Sequence, residues 1–341
     1  MPESRRVQEV ESSRQAAALA DAVMGQNRRA LAQAITLVES TRPDHRRTAR
    51  ELLQRLLPHA GNAVRLGISG VPGVGKSTFI EALGNHVIDS GHRVAVLTVD
   101  PSSAISGGSI LGDKTRMEQL ARRAEAYIRP SPAGTTLGGV TRRSRESLIL
   151  CEAAGFDVVI VETVGVGQSE TRVAEMTDMF VLLLLPGAGD ELQGIKRGIM
   201  ELADLVLINK ADGELKALAE RSARDCRNAL RLLHPRSPDW EVQVQTCSAR
   251  DGIGIAEVWQ TVLQHRDLLV AGGQLAKRRA EQSLAWMWSE VHESLIAALQ
   301  ADPEVRRQIE PLETAVRRGE MPPAAAAGQL LETFLRRKGA E

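Results

Sequence analysis

Aromatic residues make up only 3% of the 341-residue chain, with a single tyrosine, so its core must be built mostly from Leu, Val, Ile and Ala. Cysteine is equally scarce: Cys151, Cys226 and Cys247 are odd in number and hold no metal-ligand spacing. That argues against a disulfide-stapled fold or a cysteine metal site, and makes a reducing cytosol the natural compartment. Net charge is lacking too. Lys+Arg and Asp+Glu both count 43, so there is no basic footprint for nucleic acid. No apolar run approaches a membrane span; the most apolar, residues 180–185, is strand-sized. The opening Met1-Pro2-Glu3-Ser4-Arg5-Arg6 lacks an apolar signal region, and Glu3, Glu9 and Glu11 argue against an acid-poor organelle leader. A cytoplasmic protein without membrane or nucleic-acid partners is expected.

What the chain does have is Gly70-Val71-Pro72-Gly73-Val74-Gly75-Lys76-Ser77-Thr78, which meets G-x-x-x-x-G-K-[ST] at every fixed position. Residues 66–69 before it read as a buried strand, and residues 79–83 after it as the start of a helix. Glycines let backbone N–H groups converge on phosphate oxygens, and the helix N-terminus adds a positive dipole. Gly73, Val74, Gly75, Lys76, Ser77 and Thr78 are therefore expected to bind nucleotide, with Lys76 on the β- and γ-phosphates and the Ser77 hydroxyl on Mg²⁺.

From residue 64 the pattern alternates strand and helix. Candidate strands are 64–69, 94–99, 126–129, 157–162, 179–185, 205–208 and 241–246, several of them continuous apolar runs bounded by turn signals. With helices between them, this predicts an α/β fold: a mainly parallel sheet flanked by helices, with ligands at the carboxyl ends of the strands. Residues 1–60 read as an N-terminal helical extension packed on the main domain. Residues 61–270 form the P-loop domain, and 271–341 a C-terminal helical arm. Helices are expected at 44–57, 255–265 and 274–300. Leu284, Met287, Trp288, Val291, Leu295 and Leu299 make a stripe along the last. Such a stripe is most often core; here it lies outside the α/β domain, where a dimer contact is the alternative.

Asn209-Lys210-Ala211-Asp212 follows the strand 205–208 and matches the guanine-reading N-K-x-D signature. An Asp carboxylate accepts from guanine N1–H and the 2-amino group. Adenine offers a bare acceptor and no amino group there, so the carboxylate would lose its partners. Lys210 would lay its stem along the base and Asn209 would brace the loops. Ser248-Ala249-Arg250, after the strand 241–246, resembles the loop whose backbone amide meets guanine O6 in GTPases. Glu162-Thr163-Val164-Gly165 stands where GTPases commonly have D-x-x-G, with the acid near Mg²⁺ and the Gly amide on the γ-phosphate. Asp100, at a strand end, and Asp113, in the glycine-rich segment after it, are further candidates for the Mg²⁺ shell. Val166 occupies the place of a water-orienting Gln and cannot orient water, so basal hydrolysis should be slow unless Gln168 or another residue stands in. Residues 186–196, rich in glycine and charge, could be a switch loop or a plain surface connection.

Taken together, residues 70–78, Val99-Asp100-Pro101-Ser102-Ser103, the run 161–170, the loop 186–196 and Asn209-Lys210-Ala211-Asp212 resemble the methylmalonyl-CoA mutase-associated GTPases, the MeaB/ArgK/MMAA group of the G3E (SIMIBI) class. Residues 27–36 resemble that family's N-terminal helix, and the likeness spans roughly residues 25 to 300. It implies a homodimeric GTP hydrolase joined through its C-terminal helices. It also implies a partner, the adenosylcobalamin-dependent methylmalonyl-CoA mutase, with the mutase's adenosyltransferase as a second candidate. Such a GTPase would gate cofactor loading and protect the mutase. By match of motif, Lys76, Glu162, Gly165 and Lys196 would be catalytic, and Ser77, Asp100, Asp113 and Glu162 would surround Mg²⁺. The chain has no D-x-H-x-x-G signature and is not expected to hold cobalamin through a histidine. Two other classes fit the sequence less well. A kinase of a transport protein sits poorly with a guanine signature, and a G3E metallochaperone needs a Cys or His cluster that three scattered cysteines do not make.

Overall fold

The computed structural model describes residues 3–40, 42–99, 117–130, 137–163, 169–187, 197–231 and 239–338. It divides into two compact units, residues 1–279 and 280–341.

The first unit is built on a seven-stranded sheet in the order β3-β2-β4-β1-β5-β6-β7. The strands are β1 (Val64–Gly70), β2 (Val94–Val99), β3 (Ala126–Arg129), β4 (Val158–Thr163), β5 (Met179–Leu184), β6 (Leu205–Ile208) and β7 (Gln243–Thr246). Every pairing is parallel. The apolar runs form strands because helices cover both faces, so neither side needs to be polar. On one face Val64, Leu66 and Ile68 of β1, Val94 and Val96 of β2 and Val158 and Ile160 of β4 share a core with Phe79, Ile80 and Leu83. These last belong to α4 (Lys76–Asp89). On the other face lie α6 (Leu137–Ala153) and α7 (Ser169–Ala174). Between α4 and α6 sits the short α5 (Glu118–Arg122).

The strand order reverses beside β1, so the loop after β1 opens at the crevice where parallel α/β sheets bind ligands. That loop is the glycine-rich segment. Helix α4 begins at Lys76, three residues earlier than the apolar pattern suggested, because the loop's own Lys-Ser-Thr forms the helix's first turn.

The N-terminal helices α1 (Glu3–Met24), α2 (Arg28–Glu39) and α3 (Pro43–Leu56) pack on one another and on α6. Asn27 caps α2 by accepting from the Arg29 and Ala30 amides at 2.9 and 3.1 Å. Arg28 donates to the carbonyls of Arg123 and Ala124, and Glu39 pairs with Arg129 at the end of β3. The later helices of this unit are α8 (Arg197–Met200), α9 (Lys216–Leu230) and α10 (Ile255–Ala271). Helix α10 runs past the expected end at residue 265 because Leu269 is still buried; the chain breaks only at Gly272. Arg279, early in α11 (Gln274–Ala301), pairs with Asp178 at 2.6 Å and donates to the Ala63 carbonyl, also at 2.6 Å. This anchors the start of α11 below β1 and β5.

The second unit holds the rest of α11 together with α12 (Pro303–Arg317) and α13 (Pro323–Lys338). Helices α12 and α13 pack on each other, burying Val305, Leu312 and Ala326. Leu284, Met287, Trp288, Leu295 and Ile296 of α11 are exposed. Among the described residues no helix is long and apolar enough to cross a membrane.

Candidate functional site

The phosphate loop leaves β1 through Gly70, whose φ is +157° and where a Cβ would lie 2.6 Å from the Leu183 carbonyl. Only glycine fits so close to the neighbouring strand. At Gly75 φ is +92°, and a Cβ would stand 2.8 Å from the Asn209 amide nitrogen. This tight contact carries the guanine loop against the phosphate loop. Lys76 is buried, and its Nζ donates to the Gly70 carbonyl at 2.7 Å and the Val71 carbonyl at 3.4 Å, so its charge is folded back over the loop.

Ser77, one residue into α4, places its hydroxyl 3.4 Å from Oε1 of Glu162 on β4. The residues lie 85 positions apart in sequence and converge because β1 and β4 are parallel neighbours with Ile68 opposite Glu162. Glu162 is only 4% exposed. Beside it, the Thr163 hydroxyl donates to Ser69 at 2.9 Å and fixes the end of β4 against β1.

The base-reading end is a closed network. Asn209 donates from Nδ2 to the Val74 carbonyl at 2.8 Å and accepts on Oδ1 from the Ala249 amide at 3.1 Å. The Cys247 thiol also lies 3.6 Å from that oxygen. One side chain thus ties the phosphate loop, the loop after β6 and the loop after β7, as its expected bracing role requires. Lys210 stands at φ +60° and sends Nζ to the Gly73 carbonyl at 2.8 Å, which lays its stem across the pocket. Asp212 accepts from the Ser248 hydroxyl at 2.6 Å on Oδ2, while Ser248 accepts from the Asp251 amide at 3.2 Å. Burial pushes the Cys247 thiol up to about 12, so it stays protonated beneath the loop.

The structure therefore brings together Gly73, Val74, Gly75, Lys76, Ser77, Glu162, Asn209, Lys210, Asp212, Ser248 and Ala249, with Thr78 in the first turn of α4. Asp100, Asp113, Gly165, Val166, Gln168 and Lys196 lie outside the described residues. The hydroxyl of Ser248 as the holder of Asp212 was not foreseen; its position directly before Ala249 in the loop was the available signal. In the loop Ser248-Ala249-Arg250, of which one backbone amide was expected to meet guanine O6, the Ala249 amide here donates to Asn209. Chemically, the site offers backbone amides and one lysine at its phosphate end, a hydroxyl beside a buried carboxylate for a hard cation, and a carboxylate held in place for a guanine edge.

A parallel sheet, a phosphate loop at its switch point and a braced N-K-x-D carboxylate define a P-loop GTPase. The family model described as methylmalonyl Co-A mutase-associated GTPase MeaB matches residues 31–304. A putative GTPase of Caulobacter vibrioides is 59% identical, covering 90% of this chain and 94% of its own. The mitochondrial methylmalonic aciduria type A homolog of Mus musculus is 50% identical over 92% of this chain and 77% of its own. GTPase ArgK of Escherichia coli is 47% identical over 89% and 92%. The crystal structure of a LAO/AO transport system kinase superposes with a TM-score of 0.73 at 38% identity, covering 98% of this chain and 99% of that one. The chain belongs to the MeaB family of GTPases and is a GTP hydrolase.

Proposed function

We propose that this GTPase serves an adenosylcobalamin-dependent acyl-CoA mutase, methylmalonyl-CoA mutase, coupling its GTP cycle to cofactor loading and to protection of the mutase. The observation that carries this reading is the family match over residues 31–304, whose description names that association. The adenosyltransferase that supplies the cofactor is the second partner of the same cycle. A kinase reading, which the LAO/AO relative's name invites, fits the site less well. Asp212 is held by Ser248 as a fixed double acceptor, which suits guanine and repels the bare N1 of adenine.

In this reading incoming phosphate oxygens take the Lys76 ammonium from the Gly70 and Val71 carbonyls that it now contacts. Amides of residues 73–78 line the phosphates, and Asp212 and Lys210 take the base. The donors fit Mg²⁺: a serine hydroxyl 3.4 Å from a buried carboxylate is an all-oxygen set, and Mg²⁺ needs few protein ligands beyond phosphate and water. Asp100 and Asp113 join Ser77 and Glu162 in that set. When held there, Mg²⁺ would supply charge neutralisation for the transferred phosphoryl group. Glu162 orients the shell at the γ-phosphate end, and Gly165 supplies an amide there. Lys196 brings a cation to the phosphates only when the mutase reorders the loop 186–196.

The proposed organisation is an N-terminal helical extension (1–60), a GTPase domain (61–270) and a dimerisation arm (271–341). The exposed Leu284, Met287, Trp288, Leu295 and Ile296 face a second copy of the chain in the homodimer. Its compartment is the cytoplasm, in keeping with three unpaired buried thiols. The test is mutase activity followed through many turnovers with this protein and GTP. Lys196→Ala should keep basal GTP hydrolysis and lose the mutase-stimulated part. Equal loss of both rates, or a mutase that inactivates at the same pace with and without the GTPase, contradicts the proposal.

A further inference from the structure

Thr98 is the next-to-last residue of β2, is only 4% exposed, and its hydroxyl has no hydrogen-bond partner among the described residues. Leaving a buried hydroxyl unsatisfied is costly in a strand where valine has the same shape, and all the other residues of β2 are apolar. The hydroxyl also has a defined location. Thr98 is the register partner of Glu162 across the β2–β4 pair. Side chains alternate along each strand, so the inward Val94 and Val96 of β2 and Val158 and Ile160 of β4 fix the facing of both residues. Thr98 and Glu162 therefore project from adjacent strands to the same face of the sheet, the face covered by α4. That is the face from which Ser77 reaches Glu162 at 3.4 Å. A buried hydroxyl without a partner among the described residues, a buried carboxylate and a half-buried serine hydroxyl thus share one corner at the phosphate end of the site.

We infer that Thr98 is a positioning residue for the cation site: its hydroxyl accepts a hydrogen bond from a water of the Mg²⁺ shell that also donates to Glu162. A water can make both bonds at once, since it has two hydrogens to donate and an oxygen left to face the cation. Thr98 makes no direct hydrogen bond to Glu162 in this structure, and a bridge through one water suits the pair. Thr98 would then set where the Glu162 carboxylate points, without touching the nucleotide. This inference rests on the Mg²⁺ reading of Ser77 and Glu162.

The experiment titrates Mg²⁺ into the full-length protein carrying fluorescent GDP and records the Mg²⁺ concentration that half-maximally slows GDP release. The melting temperature of the nucleotide-free protein is recorded in parallel. Thr98→Val should raise the half-maximal Mg²⁺ about tenfold, the usual consequence of losing an outer-shell partner. It should leave the nucleotide-free melting temperature unchanged or higher, because an unsatisfied hydroxyl becomes a methyl of the same shape. Thr98→Ser should restore the wild-type Mg²⁺ requirement, and Thr98→Ala should reproduce the valine result if valine packs poorly. Ser77→Ala is the control. If Ser77→Ala raises the requirement and Thr98→Val does not, Thr98 is plain packing and this inference fails alone. If Ser77→Ala also leaves the requirement unchanged, the cation reading falls and takes the Thr98 inference with it.

Discussion

Replacing Ser248 with alanine isolates what holds the guanine reader in place. The Ser248 hydroxyl donates to Asp212 at 2.6 Å and accepts from the Asp251 amide at 3.2 Å, and Ser248 itself is fully buried. A hydrogen bond to a charged group contributes about 1.5–3 kcal/mol, and every 1.4 kcal/mol is about tenfold in affinity. Asp212 is half-buried, so water can partly replace the lost donor, which favours the low end of that range. Ser248→Ala should therefore weaken GDP binding about tenfold, through a carboxylate free to swing away from the base edge. Losing the Asp251 contact adds a stability cost of about 1 kcal/mol that does not depend on nucleotide. The assay is a parallel titration of GDP and ADP with fluorescent analogues. The selective loss must appear in GDP alone, because ADP makes no bond to Asp212. An unchanged GDP affinity, or an equal loss for both nucleotides, would refute the reasoning.

Asp212→Asn should move preference from guanine toward xanthine, whose 2-oxo group accepts from the new amide; competition by XDP against fluorescent GDP checks this. Arg279→Ala leaves the buried Asp178 carboxylate short of its guanidinium partner and should cost about 3 kcal/mol. Its melting temperature should fall by several degrees with GDP affinity unchanged, because the contact lies at the opposite end of the strands from the phosphate loop. The three thiols give a pH dependence of known sign. Burial pushes Cys226 up to about 11 and Cys247 up to about 12, and Cys151 higher still, all above the unfolded value of 9.0. Folded-state values raised in this way contribute stability below about pH 9 that is lost as pH rises toward the folded values. Melting temperatures measured from pH 8 to 10.5 should fall, and iodoacetamide at pH 8 should label the cysteines only after unfolding.

Much of the site was legible because its chemistry sits at fixed local spacings. The loop from Gly70 to Thr78 and the Asn209-Lys210-Ala211-Asp212 run each lie within a few residues at a strand end, and continuous apolar runs revealed β1, β4, β5 and β6 to within a residue. What escaped was long-range or without apolar signal. Asn209 was expected to brace the loops, but nothing local indicates that its partner is the Val74 carbonyl 135 positions away, or that Arg279 reaches Asp178 across 101. The first turn of α4 is polar and shows no periodicity, so its helical start at Lys76 was hidden. Thr98 looked like any β-branched strand residue, and only its register against Glu162 gives it meaning.

The most direct measurement of the central claim is the rate of GTP hydrolysis by the full-length protein, alone and with methylmalonyl-CoA mutase at saturating concentration. Slow hydrolysis alone and a large acceleration by the mutase, abolished by Lys196→Ala, is the predicted result. A rate that the mutase leaves unchanged would contradict the account.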